Sequence, residues 1–417
     1  MLRRREFLGV GAAGLSYVSL AGGMPALFAR AADASKRADA NDHALVVVEL
    51  GGGNDGLNTV IPFEDALYYR NRRTLGIPKK DVIRLSDQVG LHPRMKALGE
   101  LFREGRLVVV QGVGYPVPDR SHFRSMEIWH TASTEPTAPP SGWLGRYLDE
   151  LEPAPAEMFP RGLALTPALP QALQAQHATV PVVAQLDSVG DASEAQSALL
   201  RKLNTDRSGS ASGPTAFLRR QADTLFRTAD RLKAAAAKAQ PAPAVEYPGG
   251  DLGSQLHRAA QILGAGLGVR VLFVSHGGFD THSNQAGTHG ELLEVLSKSL
   301  EAFQRDLAAR QLAEKVMVMV FSEFGRQVDE NASLGTDHGA ASCMFLVGKK
   351  VKGGLAGQYP SLARLGDGDL IFNTDFRAVY ATLLERWMGC SSQGLLGKPQ
   401  PTLDLIAGSS GTGRERS

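Results

Sequence analysis

Leu45-Val46-Val47-Val48-Glu49-Leu50-Gly51-Gly52-Gly53-Asn54-Asp55-Gly56 is the stretch that decides the fold class. Its first half is a short apolar run bounded by glycine, the signature of a strand buried on both faces. Its second half breaks the strand and leaves an amide and a carboxylate just past its end. Open α/β sheets carry their chemistry there, at the carboxyl ends of the strands. Asn-Asp-Gly is also good turn chemistry. At Asn54 and Asp55 a tight turn and a ligand site are therefore both open.

The same reading recurs along the chain. Arg106 to Val110, Val269 to Val274, Val316 to Phe321 and Ser342 to Val347 are further strand candidates, and 180–186 is a short one with its proline at an edge. Between them lie helical spacings. His92 to Glu104 carries Met95, Leu98, Leu101 and Phe102 on one face, and Ser121 to Ala132 starts with Ser121 as N-cap. Gly253 to Leu267 and Glu291 to Leu307 are also helical, and Thr374 or Asp375 caps a last helix through Trp387. Strand–helix alternation of this kind predicts an α/β fold: a three-layer α/β/α sandwich around a mostly parallel, doubly wound sheet.

The segment 133–250 breaks the rhythm. It holds a Pro/Thr-rich stretch, a Ser/Gly loop, an Ala/Lys-rich helix over 216–239 and a Pro-rich turn. It reads as an irregular and helical insertion in one domain spanning 42–405. The residues from 408 to 417 are Gly/Ser-rich and charged, the composition of a disordered tail.

Residues 1–34 read as an address rather than part of the fold. Arg4-Arg5-Glu6-Phe7-Leu8, a Gly/Ala-rich apolar stretch and Ala29-Arg30-Ala31 make a twin-arginine signal, with cleavage before Ala32. The expectation is export by the twin-arginine translocase to the periplasm or beyond, with no stable membrane span.

Composition narrows the function. The chain has 417 residues, 43% hydrophobic and 21% charged, enough for a sizeable core. A net charge of +2 gives no electrostatic case for nucleic acid. The two cysteines, Cys343 and Cys390, form no Cys-x-x-Cys pair, which excludes a thiolate zinc site or redox dithiol as the main chemistry. Gly51-Gly52-Gly53-Asn54 lacks the spacing of a dinucleotide fingerprint.

Carboxylates and imidazoles gather where the strands stop. Asp280 and His282 follow one strand, with His276 before and His289 after. Residues i and i+2 share a face of extended chain, so both side chains can reach one ion. Glu323 ends the next strand with Arg326 close by as an ion-pair partner, and Asp337-His338 lies in the following loop. There His338 is a ligand or acid whose tautomer Asp337 would fix. Ser121, at a helix start, feels the positive end of the helix dipole. It is either a plain N-cap or a nucleophile, with Arg120 or Arg124 neutralising an incoming phosphate or sulfate. Oxygen and imidazole donors together suit a hydrolytic divalent metal.

At Gly52-Gly53-Asn54-Asp55-Gly56-Leu57-Asn58-Thr59-Val60-Ile61-Pro62, Arg120-Ser121-His122-Phe123, Phe279-Asp280-Thr281-His282, Phe321-Ser322-Glu323-Phe324-Gly325-Arg326 and Asp337-His338-Gly339, the chain resembles family 1501 of the domains of unknown function. More distantly it is similar to the alkaline phosphatase and sulfatase superfamily. That resemblance implies an exported hydrolase of phosphate or sulfate esters, with Ser121 as nucleophile and Arg124 or Arg326 holding the anion. Asp55, Asp280, His282, Glu323 and His338 would bind metal, and Asn54 an oxyanion. Glu323-Phe324 stands where the superfamily has an Asp-His pair, and a phenyl ring cannot ligate. The expected cofactor is one or two ions of Zn, Mn, Ca or Mg. The alternative is a non-catalytic exported protein that keeps the fold to bind a ligand or partner.

Overall fold

A computed structural model describes residues 42–151, 159–182, 231 and 245–408. The signal segment, residues 183–186 of the short strand, the 216–239 helix apart from Arg231, and 409–417 of the tail lie outside the described residues. The chain divides into two compact units. One comprises Met1–Asp42, Pro139–Val245 and Gln255–Val274. In it Gly162–Ala164 pairs in parallel with residues 271–273, Val182 makes an isolated bridge to Ala164, and Trp143–Glu150 is helical.

The other unit, His43–Ala138, Glu246–Ser254 and Ser275–Ser417, holds every candidate site residue named above. Its strand Ala44–Leu50 runs parallel to Val316–Ser322, in register from Ala44 opposite Val316 to Leu50 opposite Ser322. Both runs are apolar and almost wholly buried, as strands covered on both faces must be. Each fully buried valine or leucine in them contributes roughly 1.5–3 kcal/mol. Gly354–Ala356 and Thr374–Asp375 pair in parallel with Leu107–Gly114. The result is a mixed, mostly parallel central sheet with flanking helices.

One strand departs from the parallel expectation. Ser342–Val347 lies antiparallel to both Leu107–Gly114 and Val316–Ser322. A parallel return needs a crossover of a dozen or more residues, usually a helix. Residues 323–341 instead form turns and loop, so the chain doubles back.

The helices fall close to their predicted places. His122–Thr131 packs through Trp129, whose ring stacks on Phe321 at 5.4 Å and on Phe376 at 4.4 Å. Gln285–Ala309 starts a turn and a half earlier than its apolar pattern suggests, directly after the Asp280 loop. It is tied to Lys96–Arg103 by Leu98 N–H donating to Ser297 Oγ at 2.9 Å. Asp375 caps Phe376–Thr382, accepting from Arg377 N–H, and the chain then widens into a π-helix over Leu383–Met388. Among the described residues no helix is long and apolar enough to cross a membrane.

The in-register ends of Ala44–Leu50 and Val316–Ser322 bring two loops side by side. Ser322 Oγ donates to Leu50 O at 2.7 Å and accepts from Asn54 N–H at 2.8 Å. Gly53 sits at φ 76°, and a Cβ there would collide with the Phe324 ring. Gly53→Ala must therefore strain the backbone and push Phe324 aside. It is expected to cost about 1–3 kcal/mol, read as a lower urea midpoint at unchanged slope.

Candidate metal centre

Three imidazoles turn toward one carboxylate at these loop ends. His338 Nε2 and His282 Nε2 each lie 3.0 Å from Asp280 Oδ1, and His122 Nε2 lies 3.5 Å from Asp280 Oδ2. His282 Nε2 and His338 Nε2 are 2.9 Å apart. The ligand atoms of His122, Asp280 and His338 all fall within 4.8 Å of one another and form a group that could hold a metal ion. The Asp280 side chain is 48% exposed, so the cluster opens to solvent.

The far nitrogen of each ring is anchored. His122 Nδ1 donates to Glu323 Oε1 at 2.9 Å, His282 Nδ1 to Asp337 Oδ1 at 3.1 Å, and His338 Nδ1 to the Arg120 carbonyl at 2.8 Å. A carbonyl and two carboxylates can only accept, so each ring has a proton on Nδ1 and turns Nε2 to the cluster. Each ring turns its Nε2 toward the Asp280 oxygens, and His282 and His338 also turn theirs toward each other. Imidazole nitrogens and carboxylate oxygens gathered this closely are drawn in common to a cation placed among them. Imidazoles backed by carboxylate or carbonyl are the usual outer shell of a metal site. A tetrahedral zinc ion, with Zn–N about 2.0–2.1 Å, holds its donors roughly 3.3 Å apart, comparable to the spacings here.

Electrostatics favour the ionised carboxylates. Burial works to raise the Asp280 carboxyl, but hydrogen bonds from His338 and Arg326 with the Arg326 charge outweigh it and bring it to about 2. Glu323 is buried, which also works upward, yet His122 and the N–H of Gly52 at 2.8 Å hold it below the usual range. Its hydrogen bond in turn raises His122 above an ordinary imidazole.

Arg326 has no exposed side-chain surface. Its guanidinium donates to the carbonyls of Gly52, Gly53, Phe279 and Thr336 and, at 2.7 Å, to Asp280 Oδ1. It therefore pairs with Asp280 rather than with Glu323, and it steers that carboxylate. Phe324 is buried with its ring 4.9 Å from His122 and 4.7 Å from His338, forming the apolar wall of the cluster.

The other predicted residues are placed differently. Asp55 belongs to a second, fully buried network. Arg72 donates to both its oxygens, at 2.6 and 3.1 Å, Gln285 Nε2 donates at 2.5 Å, and Asn58 N–H at 3.3 Å. Burial alone would raise the Asp55 carboxyl, but the Arg72 charge and hydrogen bonds lower it below its ordinary value. Asn54 Oδ1 accepts from Thr59 Oγ at 3.0 Å and faces His289 Nε2 at 3.0 Å. His276 is drawn to the Leu292 carbonyl. Arg124 pairs with Glu127 on its own helix.

Ser121 stands at the N-cap position of His122–Thr131 with its hydroxyl in no capping bond, while its N–H donates to Asp119 Oδ1 at 2.7 Å. Its neighbours on both sides enter the cluster, Arg120 through its carbonyl and His122 through its ring. The sequence reading missed His122 as a cluster member, although it stands inside the quoted motif. It missed Arg72 and Gln285 altogether. It also gave Asp337 to His338, whereas Asp337 anchors His282.

Fold and cluster together define a mixed α/β protein with an imidazole–carboxylate centre at the ends of its sheet. The chain belongs to the family described as protein of unknown function (DUF1501), whose sequence model matches residues 42–394. No curated protein matches it in sequence. Among solved structures it is similar to a sulfatase from Pseudoalteromonas sp. (11% identity, 85% of this chain and 68% of that one, TM-score 0.37). It is also similar to a protein in the alkaline phosphatase superfamily from Vibrio parahaemolyticus (8%, 95% and 78%, TM-score 0.37). A third is the C-terminal periplasmic domain of EcEptC from Escherichia coli in complex with zinc (10%, 74% and 74%, TM-score 0.33).

Proposed function

We propose that this chain is an exported, metal-dependent hydrolase of phosphate or sulfate esters. The observation that carries the reading is the convergence of the Nε2 atoms of His122, His282 and His338 on the Asp280 carboxylate, each ring fixed from behind. His122, Asp280 and His338 would hold a divalent cation, with His282 at its edge. Imidazole donors favour zinc over calcium, magnesium or manganese. Glu323 serves the site through His122 rather than as a ligand, since its Oε1 is already bonded to that ring. Bound there, a divalent cation supplies Lewis-acid neutralisation of an ester's anionic oxygens.

Ser121 is the proposed nucleophile. Its hydroxyl is uncommitted to capping and sits at the positive end of a ten-residue helix. The bond from Oγ to phosphorus or sulfur forms as the bond to the departing alcohol breaks. The serine proton leaves to solvent, the alcohol takes one up, and water then cleaves the ester on the enzyme. Arg124 and Arg326 act at one remove, Arg326 by holding Asp280. The twin arginines at Arg4 and Arg5 support export of the folded, metal-loaded chain by the translocase.

Ser121→Ala is expected to abolish ester turnover while leaving the metal content of the chain unchanged, by elemental analysis. Turnover that survives the substitution removes Ser121 as nucleophile. Phe324 favours a second reading, a non-catalytic ligand- or partner-binding protein, because an apolar ring stands beside two of the imidazoles. Metal bound without turnover of any phosphate or sulfate ester in a panel decides for that reading.

A further inference from the structure

A cavity of about 670 Å³ opens beside the imidazole cluster, within the size range of small-molecule sites. Phe324 is their common wall, packing on His122 and His338 while lining the cavity. Arg120 belongs to both as well, since its carbonyl anchors His338 and its guanidinium lines the cavity. Tyr115, Leu370 and Phe372 give the cavity an apolar body.

Its polar side is acidic. Asp119, Asp367 and Asp369 face a single cation, Arg120. Arg120 donates to Asp369 Oδ2 through Nε at 2.9 Å and to Asp367 Oδ2 through Nη2 at 3.2 Å. Asp369 is only 2% exposed, and its Oδ1 has no hydrogen-bond partner. A buried carboxylate oxygen left unpaired costs free energy that a donor can recover. One guanidinium against three carboxylates leaves the wall with surplus negative charge, which selects a cationic donor over a neutral one.

We propose that this cavity is a leaving-group subsite for alcohols that join an apolar body to an ammonium group, the ammonium held by the negative charge of the Asp119, Asp367 and Asp369 wall. The substrate class is then a phosphate or sulfate ester whose anionic end meets the imidazole cluster and whose cationic end enters the cavity. The assignment rests on the hydrolase reading, but the subsite is testable without turnover.

Benzylamine, an ammonium ion at neutral pH, and benzyl alcohol are titrated separately into the folded chain by calorimetry or ligand-observed NMR. Benzylamine is expected to bind about tenfold more tightly or better, as for a charge-assisted hydrogen bond. Asp369→Asn should erase that preference and leave benzyl alcohol unchanged. Asp367→Asn, at a side chain 93% exposed, keeps the fold and should weaken benzylamine about two- to threefold through its charge alone. Equal binding of the two probes, or a preference indifferent to both substitutions, overturns the subsite. A parallel comparison of 4-(aminomethyl)phenyl phosphate with phenyl phosphate separates the two claims. Benzylamine binding without turnover of either ester keeps the subsite and sinks the hydrolase. Turnover of both esters at equal kcat/KM, with no benzylamine preference, does the reverse.

Discussion

Asp280→Ala is expected to weaken zinc binding by about 100-fold or more, beyond the 10- to 100-fold typical of losing an outer-shell partner. The size follows from what the carboxylate does. Asp280 is the anion that all three imidazoles face. Its removal also strips Arg326 Nη2 of its carboxylate partner and leaves a buried guanidinium next to the cation's place. Attraction is lost and repulsion gained in one step. Glu323→Gln provides the graded comparison. It keeps an acceptor for His122 Nδ1 but removes the charge behind the ring, so about 10-fold is expected. Calorimetric zinc titration of the three proteins reads both effects. Equal affinities across the three would place the cation elsewhere.

Arg72→Ala is expected to lower stability by about 3–5 kcal/mol, the usual consequence of leaving a buried charge without its partner. Asp55 and Arg72 side chains are both fully inaccessible, and Arg72 further donates to the carbonyls of Val328 at 2.6 Å and Gln327 at 2.8 Å. One residue thus ties the loop after the first strand to the chain beyond Arg326. The pH dependence has a defined sign. The Asp55 carboxyl is depressed in the folded state, so its contribution is complete above the ordinary aspartate pKa and is lost as pH falls through the depressed value. Without Arg72 the largest opposition to burial is gone and the carboxyl rises, so acid unfolding should begin at a higher pH than in the parent. Urea unfolding across that range checks both statements. The double replacement Asp55→Leu with Arg72→Met should recover part of the loss, because removing both charges leaves nothing unpaired. A stability loss below about 1 kcal/mol for Arg72→Ala contradicts the network's structural role, since surface pairs contribute that little.

The sheet was legible because buried strands are written as unbroken apolar runs between glycines. Leu45 to Leu50 and Val316 to Phe321 are such runs, and they pair in parallel along their whole length. The direction of Ser342–Val347 was not legible, because direction depends on what the intervening loop does rather than on the strand's residues. In the cluster, Asp280, His282 and His338 were readable as ionisable groups past strand ends. His122 was hidden beside Ser121, whose capping chemistry offered a sufficient local explanation. Arg72 lies in Arg70-Asn71-Arg72-Arg73, a run that reads as solvated surface until the fold closes over it. Gln285 and His289, one helical turn apart, share a face that only the packed helix reveals. Asp55 was placed correctly at the strand end. What composition could not show was that Arg72 and Gln285 would take up both its oxygens.

The central claim is that the His122–Asp280–His338 cluster holds a divalent cation. Its most direct measurement is elemental analysis of the folded chain after dialysis, first as purified and then following zinc or manganese loading. The account expects about one equivalent of metal, retained on dialysis and lost in His338→Ala, whose fold is checked by circular dichroism. A parent chain that remains folded, carries no metal and takes up none on loading contradicts it.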